Sequence, residues 1–364
     1  MTSWRSVGRW AYVGIRVAAA GVAIARVARA ANAAPPIRPT LTPVTPISVI
    51  VPARNEAERI GPLLDAIVGA PGVTEVLVID DQSTDATADV ARRSGAAVLT
   101  GSPLPAGWAG KAWALHQGIA AAGSDWIVSL DADTRPDPRL PTAIVARAIG
   151  GRFDLLTAAA RFDCPTPGSR WLHPAMLTTL VYRFGPPGAP ATRSDRVLGN
   201  GQCMAFDRRR LLDVGGLESV KADVVEDVAL ARSLAAAGQR VGFLDAGELL
   251  TVRMYESFAD TLRGWGRSLA LPGVEARPRQ LVDLAMLALT QVLPVPRLLT
   301  RRGDLVDVAL TAVRIGTLFG TRRAYTRGGV AYWMSPLADP IAAVAIATGI
   351  ARGTRQTWRG RMYA

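Results

Sequence analysis

Apolar segments of strand length alternate with helical segments in the first half of the chain, and this alternation constrains the fold more than any other feature. The apolar runs lie at 47–51, 75–80, 96–99, 125–131 and 153–160. Segments with a helical pattern separate the first four, at 56–69, 84–94 and 110–122. Strands that alternate with helices predict a parallel sheet covered by helices on both faces. The expected fold class is therefore α/β with a mostly parallel sheet.

The second half has a looser pattern. Further helices are expected at 171–184, 223–237 and 258–271, and a further strand at 202–206. Three apolar segments then follow at 281–293, 305–320 and 330–351, each short or interrupted by charged residues or prolines. Since a membrane span needs about 20 apolar residues, the last segment is the best spanning candidate. The first two are interpreted as re-entrant or interfacial.

The chain begins with a basic, alanine-rich segment, residues 1–31, whose apolar part contains Arg16. One arginine at a membrane centre costs about 2.5–3.5 kcal/mol on insertion scales, which predicts a poor spanning helix or an interfacial one. A proline-rich linker follows. The expected organisation is an N-terminal helix and linker at 1–46, an α/β domain at 47–275, and membrane-associated helices with a basic tail at 276–364.

Composition limits the possible partners. The 364 residues are 49% hydrophobic and carry a formal net charge of +12, which suits anionic lipid, phosphorylated ligands or nucleic acid. The only lysines are Lys111 and Lys221, and no basic run lies beside aromatic residues. We therefore expect no nucleic-acid partner. The two cysteines, Cys164 and Cys203, have no CxxC partner, which argues against a zinc site or a disulfide framework.

Two acidic pairs follow predicted strands. Asp131 and Asp133 follow the strand at 125–131, and Asp80 and Asp81 end the strand at 75–80. Ligands of open α/β sheets bind at the carboxyl ends of the strands. Paired carboxylates can hold a divalent cation, and an aspartate there can accept hydrogen bonds from a nucleoside. The alternatives are a solvated turn, or a helix cap formed by Asp133.

Arg54 and Glu56 follow the first strand at the same edge, where polar groups can contact a nucleotide; the alternative is a helix entry capped by Asn55. Gly107 to Lys111 open a predicted helix, whose backbone N–H groups favour a diphosphate. The segment is not a Walker A loop.

Three features of the second half complete the candidate site. The glycines around Gly201 and Gln202 let the backbone approach a ligand, or form a simple turn. Asp223 and Glu226 fit an acidic capping box, which leaves Asp227 free as a general base. A predicted helix places Arg263 and Arg267 on one face, with Trp265 between them in sequence; these arginines could stabilise a leaving diphosphate or contact anionic lipid.

These motifs together resemble the family 2 inverting glycosyltransferases of the GT-A fold. The similarity runs from about position 47 to position 271 in the expected order: VPARNE, VIDDQSTDAT, GWAGKAWALHQG, SLDADT, GNGQCMAF and VVEDVALA. The resemblance implies a nucleotide-sugar-binding α/β domain. It also implies that Asp131 and Asp133 hold Mg²⁺ or Mn²⁺ as a DxD motif, and that Asp227 is the catalytic base.

The resemblance also divides the remaining residues between two substrates. Donor contacts are expected from a UDP- or GDP-hexose to Arg54, Glu56, Asp80, Asp81, Lys111, Asp131, Arg263 and Arg267. Acceptor contacts are expected at Gly201, Gln202, Glu226 and Trp265. The C-terminal part, with YWMSPLADP at 332–340, resembles the membrane-attached branch associated with hopanoid and carotenoid pathways.

Two positions depart from the family pattern. Arg263, Trp265 and Arg267 stand in place of an intact QxxRW motif, which argues against a processive polysaccharide synthase. His116 occupies a position that is usually asparagine. The sequence thus predicts metal-dependent transfer of one sugar to a lipid-like hydroxyl, on the cytoplasmic side of the cell membrane. The alternative is a non-catalytic, membrane-associated protein that binds lipid or a partner; an NAD-type dehydrogenase would need a GxGxxG motif after the first strand.

Overall fold

The computed structural model describes residues 4–191, 193–354, 356–358 and 361–363, so the predicted basic tail lies partly outside the described residues. The strands are β1 (Ile47–Ala53), β2 (Val73–Asp80), β3 (Ala97–Thr100), β4 (Trp126–Leu130), β5 (Thr134–Pro136), β6 (Leu155–Ala159), β7 (Arg161–Asp163), β8 (Cys203–Asp207), β9 (Val241–Asp245), β10 (Leu250–Arg253), β11 (Gln356–Trp358) and β12 (Arg361–Tyr363).

The helices begin with one long N-terminal helix and end with a group of apolar ones. They are α1 (Trp4–Ala28), α2 (Gly61–Ile67), α3 (Thr87–Arg93), α4 (Gly110–Ala121), α5 (Leu140–Gly151), α6 (Pro167–Phe184), α7 (Arg208–Asp213), α8 (Glu226–Ala236), α9 (Phe258–Ser268), α10 (Arg277–Leu287), α11 (Pro294–Leu299), α12 (Leu305–Thr321), α13 (Val330–Trp333) and α14 (Asp339–Arg352). A π-helical turn at Ala288–Val292 joins α10 to α11.

A seven-stranded sheet in the order β3-β2-β1-β4-β8-β6-β9 confirms the predicted α/β class. Its strands are parallel except for β8, which runs antiparallel to β4 and β6. Alternate residues of β1 and β2 enter two separate cores, as burial of both faces requires. One core holds Val49 and Val78 with α2, α3 and α5, and the other holds Ile50 and Ile79 with α4 and α8.

A second, three-stranded sheet in the order β5-β10-β7 lies beyond the end of β4, and the sequence did not predict it. β5 begins directly after Asp133, so the expected alternative in which Asp133 caps a helix is wrong. Thr134 fixes this turn, because its N–H and hydroxyl both donate to the Asp131 carbonyl, at 3.0 and 2.7 Å.

Two predicted helix starts are corrected by the structure. The helix expected at 56–69 begins at Gly61, and Asn55 does not cap it. Asn55 instead adopts a left-handed backbone, and its side chain accepts a hydrogen bond from the Thr84 N–H at 2.8 Å. The expected capping box of Asp223 and Glu226 is also absent, because α8 begins at Glu226 after Val225 and has no side-chain cap.

The N-terminal helix and the C-terminal helices pack with α6 and α9 into a third core, which we call the helical layer (α1, α6, α9, α10 and α12–α14). Three ion pairs join its segments: Arg16–Asp304 at 2.6 Å, Arg26–Asp283 at 3.2 Å and Arg314–Asp339 at 2.8 Å. The charges that interrupt the apolar segments of the sequence therefore have partners inside the protein.

The outer surface of the helical layer is apolar. In α12, Asp307 and Arg314 are buried, whereas Val308, Ile315 and Phe319 are exposed. In α1, Arg16 is 1% exposed while Trp10 is 74% exposed. Soluble helices show the reverse distribution, with charges outside and apolar residues inside.

Two helices are long and apolar enough to cross a membrane among the described residues, Trp10–Asn32 and Arg277–Leu299. The prediction that 330–351 is the best spanning candidate is wrong. Pro336 and the turn around it separate α13 from α14, and Asp339 faces inward to pair with Arg314. The 14 residues of α14 extend only about 21 Å, which is less than the roughly 30 Å of a hydrocarbon core.

Gly118 of α4 allows this helix to approach the sheet closely. A Cβ atom at Gly118 would lie 2.6 Å from Ile50 and 2.9 Å from Ile79. We expect Gly118→Ala to lower the free energy of unfolding by about 1–3 kcal/mol because it overpacks the core. Gly150 of α5 is the matched control, since its Cβ would meet no atom within 4 Å.

Urea denaturation of both variants in the same detergent measures the difference. Gly150→Ala should be neutral, or more stable by up to about 1 kcal/mol, because alanine favours helix. Equal stability of the two variants would contradict the close approach of α4 to β1 and β2.

Candidate active site

A cleft of about 990 Å³ lies at the carboxyl ends of β1 and β4. The starts of α4 and α8 form one side, and α9 with the segment after β10 forms the other. The predicted site residues that line it are Arg54, Glu56, Asp81, Lys111, Asp131, Asp133, Gln202, Glu226, Asp227, Arg263 and Arg267. The sheet edge therefore brings together most of a set that spans more than half of the sequence.

Lys111 is at the centre of the acidic groups. Its Nζ lies 2.7 Å from Asp131 Oδ1 and 3.1 Å from Glu226 Oε1, and its side chain is 21% exposed. The negative charges of Asp131, Glu226 and Asp227 raise the pKa of Lys111 despite its burial. The ammonium group thus joins the end of β4 to the start of α8 as a permanent cation.

Asp227 is held in a fixed orientation by the backbone. Its Oδ2 accepts a hydrogen bond from the Gly201 N–H at 2.7 Å, and its Oδ1 accepts one from the Val228 N–H at 2.8 Å. A Cβ on Gly199 would lie 2.5 Å from the Asp227 carbonyl oxygen, and one on Gly201 would lie 2.7 Å from Lys111 Nζ. Close approach to the backbone therefore requires glycine at position 199, whereas a side chain at position 201 would displace Lys111 Nζ.

Burial raises the pKa of three carboxyls around Lys111: those of Glu226, Asp227 and Asp133. The pKa of Glu226 rises to about 7, because burial and the neighbouring aspartates outweigh Lys111. Burial also raises the pKa of Asp227, against the opposing effects of Lys111 and two backbone N–H groups. At Asp133 burial and the charge of Asp131 raise the pKa together.

Arg54 and Asp81 form the far end of the cleft, beyond β1 and β2. Arg54 Nη1 donates to the Asp81 carbonyl oxygen at 2.6 Å, which joins the loops that follow the two strands. Asp81 lines the cleft, whereas the buried Asp80 side chain accepts from the Ser83 N–H at 3.3 Å. Of the two predicted nucleoside contacts, Asp81 is thus the one that faces the cleft.

Helix α9 contributes Arg263 and Arg267 to the cleft, as the helical spacing predicted. Gly264 between them leaves room for Tyr255, because a Cβ at this position would overlap the tyrosine ring, and the Tyr255 hydroxyl bonds to Arg267. Trp265 faces the other way: its ring packs edge-on against the buried His173, with centroids 5.1 Å apart. Trp265, predicted to contact the acceptor, therefore does not line the cleft.

Sequence reasoning missed several residues that line the cleft, among them Arg59, Arg135, Arg253 and Tyr255. Burial, with Arg253 and Arg59 nearby, lowers the pKa of Arg135, while Asp133 opposes this effect. Arg135 could have been found from its position two residues after Asp133. Arg253 and Tyr255 reach the cleft only because β10 pairs with β5, for which the sequence carried no signal.

His116, the departure from the family pattern, lies in an aromatic cluster formed by α4 and the loop before it. Its ring stacks on Trp113 at 5.4 Å and lies 4.9 Å from Trp108. These contacts give the side chain a packing role.

Asp131 and Asp133 suit a cation that takes further ligands from a substrate. No group of three or more His, Cys, Asp or Glu side chains among the described residues could hold a metal ion by itself. Mg²⁺ commonly takes one or two carboxylates together with phosphate oxygens. A cation beside the half-buried Asp133 would offset the repulsion from Asp131 that helps to raise the pKa of this group. The donor chemistry of the pair therefore fits Mg²⁺ or Mn²⁺.

The raised pKa of Glu226 predicts a pH-dependent stability. The folded protein keeps a proton on this carboxyl up to about pH 7, whereas the ordinary pKa of a glutamate is 4.5. Between these two values the folded state binds more protons than the unfolded state, so the free energy of unfolding falls as pH rises. Glu226→Gln should make this decrease smaller.

Urea denaturation below and above that pH window measures the change, with the exposed Glu218→Gln as a control of equal charge. The Glu218 variant should retain the decrease of the original protein. The same pH dependence in both variants would exclude Glu226 as its source.

Known proteins share both the sequence pattern and the architecture. The family described as glycosyl transferase family 2 matches residues 48–215. The 4,4'-diaponeurosporenoate glycosyltransferase of Staphylococcus aureus (strain USA300) is 27% identical over 250 residues, which are 66% of this chain and 65% of that protein. The chain thus spans slightly less than two thirds of the length of this relative.

The match in S. aureus strain bovine RF122 is 43% identical over 88 residues, 24% of each protein. Among solved structures, mannosyltransferase PcManGT from Pyrobaculum calidifontis, in complex with GDP-Man and Mn²⁺, has a TM-score of 0.56 at 18% identity. That match covers 94% of this chain and 97% of the other, so it includes helices outside the α/β domain. Residues 48–215 of this chain are therefore similar to glycosyl transferase family 2, and the chain has a GT-A-like fold.

Proposed function

We propose that the protein transfers one sugar from a nucleotide-sugar donor to a lipid-like hydroxyl acceptor, with inversion at the anomeric carbon. The observation that carries the proposal is the group formed by Lys111, Asp131, Asp133, Glu226 and Asp227 in one cleft. The group combines a carboxylate pair suited to a cation with a separate, oriented carboxylate suited to a base. A non-catalytic protein would have no need to keep both.

The donor is a UDP- or GDP-hexose. Asp81, Glu56 and Arg54 line the end of the cleft where the nucleoside would lie. The P. calidifontis structure contains GDP-Man, which supports a nucleotide-sugar but does not choose the base for this chain. Arg263 and Arg267 would lie near the diphosphate, and the proposed contact of Lys111 with the donor would add to its two carboxylate partners.

Asp131 and Asp133 would hold Mg²⁺ or Mn²⁺, and a bound divalent cation would neutralise charge that develops on the diphosphate. The presence of Mn²⁺ in the P. calidifontis structure supports this assignment. The side chains contribute the rest: Asp133 supplies a ligand, Lys111 forms an ion pair with Asp131, and Arg263 and Arg267 add positive charge near the leaving group.

Asp227 would act as the base. The acceptor oxygen bonds to the anomeric carbon on the face opposite the diphosphate, the bond from that carbon to the diphosphate oxygen breaks, and the acceptor proton passes to Asp227. The two backbone N–H groups that bind Asp227 fix its orientation and favour its ionised form. Glu226 shares Lys111 with Asp131 and is the less available of the two acids.

The lipid-like acceptor is supported by two observations. The S. aureus relative is named for diaponeurosporenoate, a carotenoid-related carboxylate. The outer surface of the helical layer is apolar while its charges face inward, as in α12, where Phe319 is 67% exposed and Arg314 is 2% exposed. Intramembrane charges usually face the interior of a bundle and pair there. We therefore propose attachment to the cell membrane, with the catalytic domain on the cytoplasmic side.

Asp227→Asn separates catalysis from donor binding. The amide keeps the size of the side chain but cannot take the proton, so single-turnover transfer to a hydroxyl acceptor should fall by about 10²–10⁴-fold. Nucleotide-sugar binding should stay within about twofold, because the amide leaves the DxD pair intact. Both quantities are measured on the same preparation.

Asp223→Asn is the matched control, since Asp223 precedes the same helix and does not line the cleft. It should transfer at the original rate. Near-normal transfer by the Asp227 variant would remove this residue from the mechanism. The Asp227 variant could also lose transfer to a hydroxyl and keep transfer to a carboxylate. That result would identify the acceptor as an acid, because an ionised carboxylate has no proton for a base to remove.

Asp133→Asn tests the cation. An amide is a poor ligand for Mg²⁺, so the variant should lose turnover and the Mn²⁺-dependent part of its nucleotide-diphosphate binding. Asp137→Asn is the control, because Asp137 lies four positions later and pairs with Arg139 at 2.7 Å. Full activity of the original protein in excess EDTA, or metal-dependent binding by the Asp133 variant, would contradict the DxD assignment.

A further inference from the structure

Arginines are concentrated where the helical layer meets the α/β domain, outside the cleft. Five of them lie around the ends of α1 and α6, with only Glu275 and Asp283 as buried acidic partners among the described residues. The five are Arg26, Arg29, Arg183, Arg196 and Arg232, which we call the junction arginines. None of them lines the catalytic cleft, and the proposed reaction leaves them without a role.

Three of the junction arginines share the two carboxylates, and Glu275 also lies 3.7 Å from Arg279. Asp283 pairs with Arg26 at 3.2 Å and with Arg196 at 3.1 Å. Glu275 pairs with Arg196 at 3.1 Å and with Arg232 at 3.0 Å. The adjacent Asp195 does not restore the balance, because it is already shared by two other arginines, at positions 193 and 279.

Arg183 and Arg29 form no direct ion pair with a carboxylate in the part of the chain that the structure describes. Arg183 is buried and donates to the carbonyl oxygen of Leu269 at 2.7 Å and to that of Thr179 at 3.2 Å. Burial, with Arg196 and Arg232 nearby, lowers its pKa to about 10, against the opposing charges of Asp283 and Glu275. Arg29 is half-buried, and a Cβ on Gly185 would lie 4.0 Å from its guanidinium carbon.

Helix ends account for part of this surplus. The C-termini of α1, α6 and α9 lie at Ala28, Phe184 and Ser268, close to these arginines. Each helix C-terminus carries about half a negative charge, so three of them offset roughly 1.5 of the three positive charges that the two carboxylates leave. About 1.5 positive charges remain by the same estimate, and Arg29 is the partly exposed group through which they can be reached.

The position of Arg29 identifies the kind of anion. It follows directly after α1, whose outer face is apolar from Trp10 onwards. The chain beyond it returns to the α/β domain, where the Ala34 N–H donates to the Gly188 carbonyl oxygen at 2.9 Å and the Ile37 N–H to the Asp245 carbonyl oxygen at 2.8 Å. If the apolar faces enter a bilayer, Arg29 lies at the level of the lipid phosphates.

We propose that Arg29, supported by Arg26 and Arg196, binds the phosphate of an anionic phospholipid headgroup. The guanidinium N–H groups donate to phosphate oxygens, and the phosphate supplies the negative charge that the junction lacks. The proposal rests on the membrane attachment proposed above. It adds a lipid site that is separate from both substrates and that would fix the height of the catalytic domain above the bilayer.

The test uses the full-length protein in nanodiscs of phosphatidylcholine that contain increasing fractions of phosphatidylglycerol. Bound lipid is measured by native mass spectrometry, and the melting temperature is measured in parallel. Removing one arginine near an anionic surface should weaken lipid binding about fivefold, so Arg29→Gln should lose most of the phosphatidylglycerol-dependent rise in melting temperature. Arg29→Lys should keep most of it.

Arg92→Gln is the matched control, since it removes one positive charge from an exposed position of α3. It should bind phosphatidylglycerol like the original protein. Equal lipid dependence of the Arg29 and Arg92 variants would overturn the proposal. Inorganic phosphate could raise the melting temperature of the original protein as much as phosphatidylglycerol does, but not that of Arg29→Gln. This result would overturn the lipid assignment in favour of a free anion.

Flotation with vesicles of pure phosphatidylcholine separates this inference from the function on which it rests. Retention on these vesicles by both the original protein and Arg29→Gln is expected, because the apolar faces do not change. Failure of both to bind would overturn the membrane attachment. Binding without any preference for phosphatidylglycerol would overturn only the headgroup site.

Discussion

The ion pairs of Lys111 hold the active cleft together. Asp131 directly follows a strand and Glu226 begins a helix almost a hundred positions later, yet both contact one ammonium group, at 2.7 and 3.1 Å. Several buried carboxylates cannot remain ionised side by side without a cation, because desolvation and mutual repulsion both favour the protonated forms. Lys111 supplies that cation, since the surrounding carboxylates raise its pKa, and the close approach of Gly201 leaves the space that its Nζ occupies.

The buried charges of the helical layer also have partners of opposite charge. Arg16 and Arg314, which looked like obstacles to apolar helices, are only 1% and 2% exposed and bind aspartates of other segments. Removing one partner of a buried pair leaves an uncompensated charge, which typically costs about 3–5 kcal/mol. The ion pairs therefore favour one arrangement of α1 against α12 and of α12 against α14. The outer faces of these helices remain apolar.

The sequence predicted the parts of the site that depend on strand order, and it failed where distant pairing decides the outcome. Asp131, Asp133 and Asp81 were found because the carboxyl ends of parallel strands meet at one sheet edge. Arg253 was missed because three-residue strands such as β5 carry no periodic signal. Similarly, no local pattern shows that the charges in the apolar segments pair with one another, so the spanning candidate was misplaced.

Helix α9 connects these two parts of the molecule. Arg263 and Gly264 face the cleft, whereas Leu262 and Trp265 pack into the helical layer. A Cβ on Gly349 would lie 2.9 Å from the Ala270 side chain, so α14 crosses the end of α9 at close range. A helix with its side chains is about 10 Å across, so the cleft and the apolar layer are separated by a single helix. With the proposed lipid-like acceptor and membrane attachment, this closeness would let the apolar body of the acceptor stay in the bilayer while its polar end reaches Asp227.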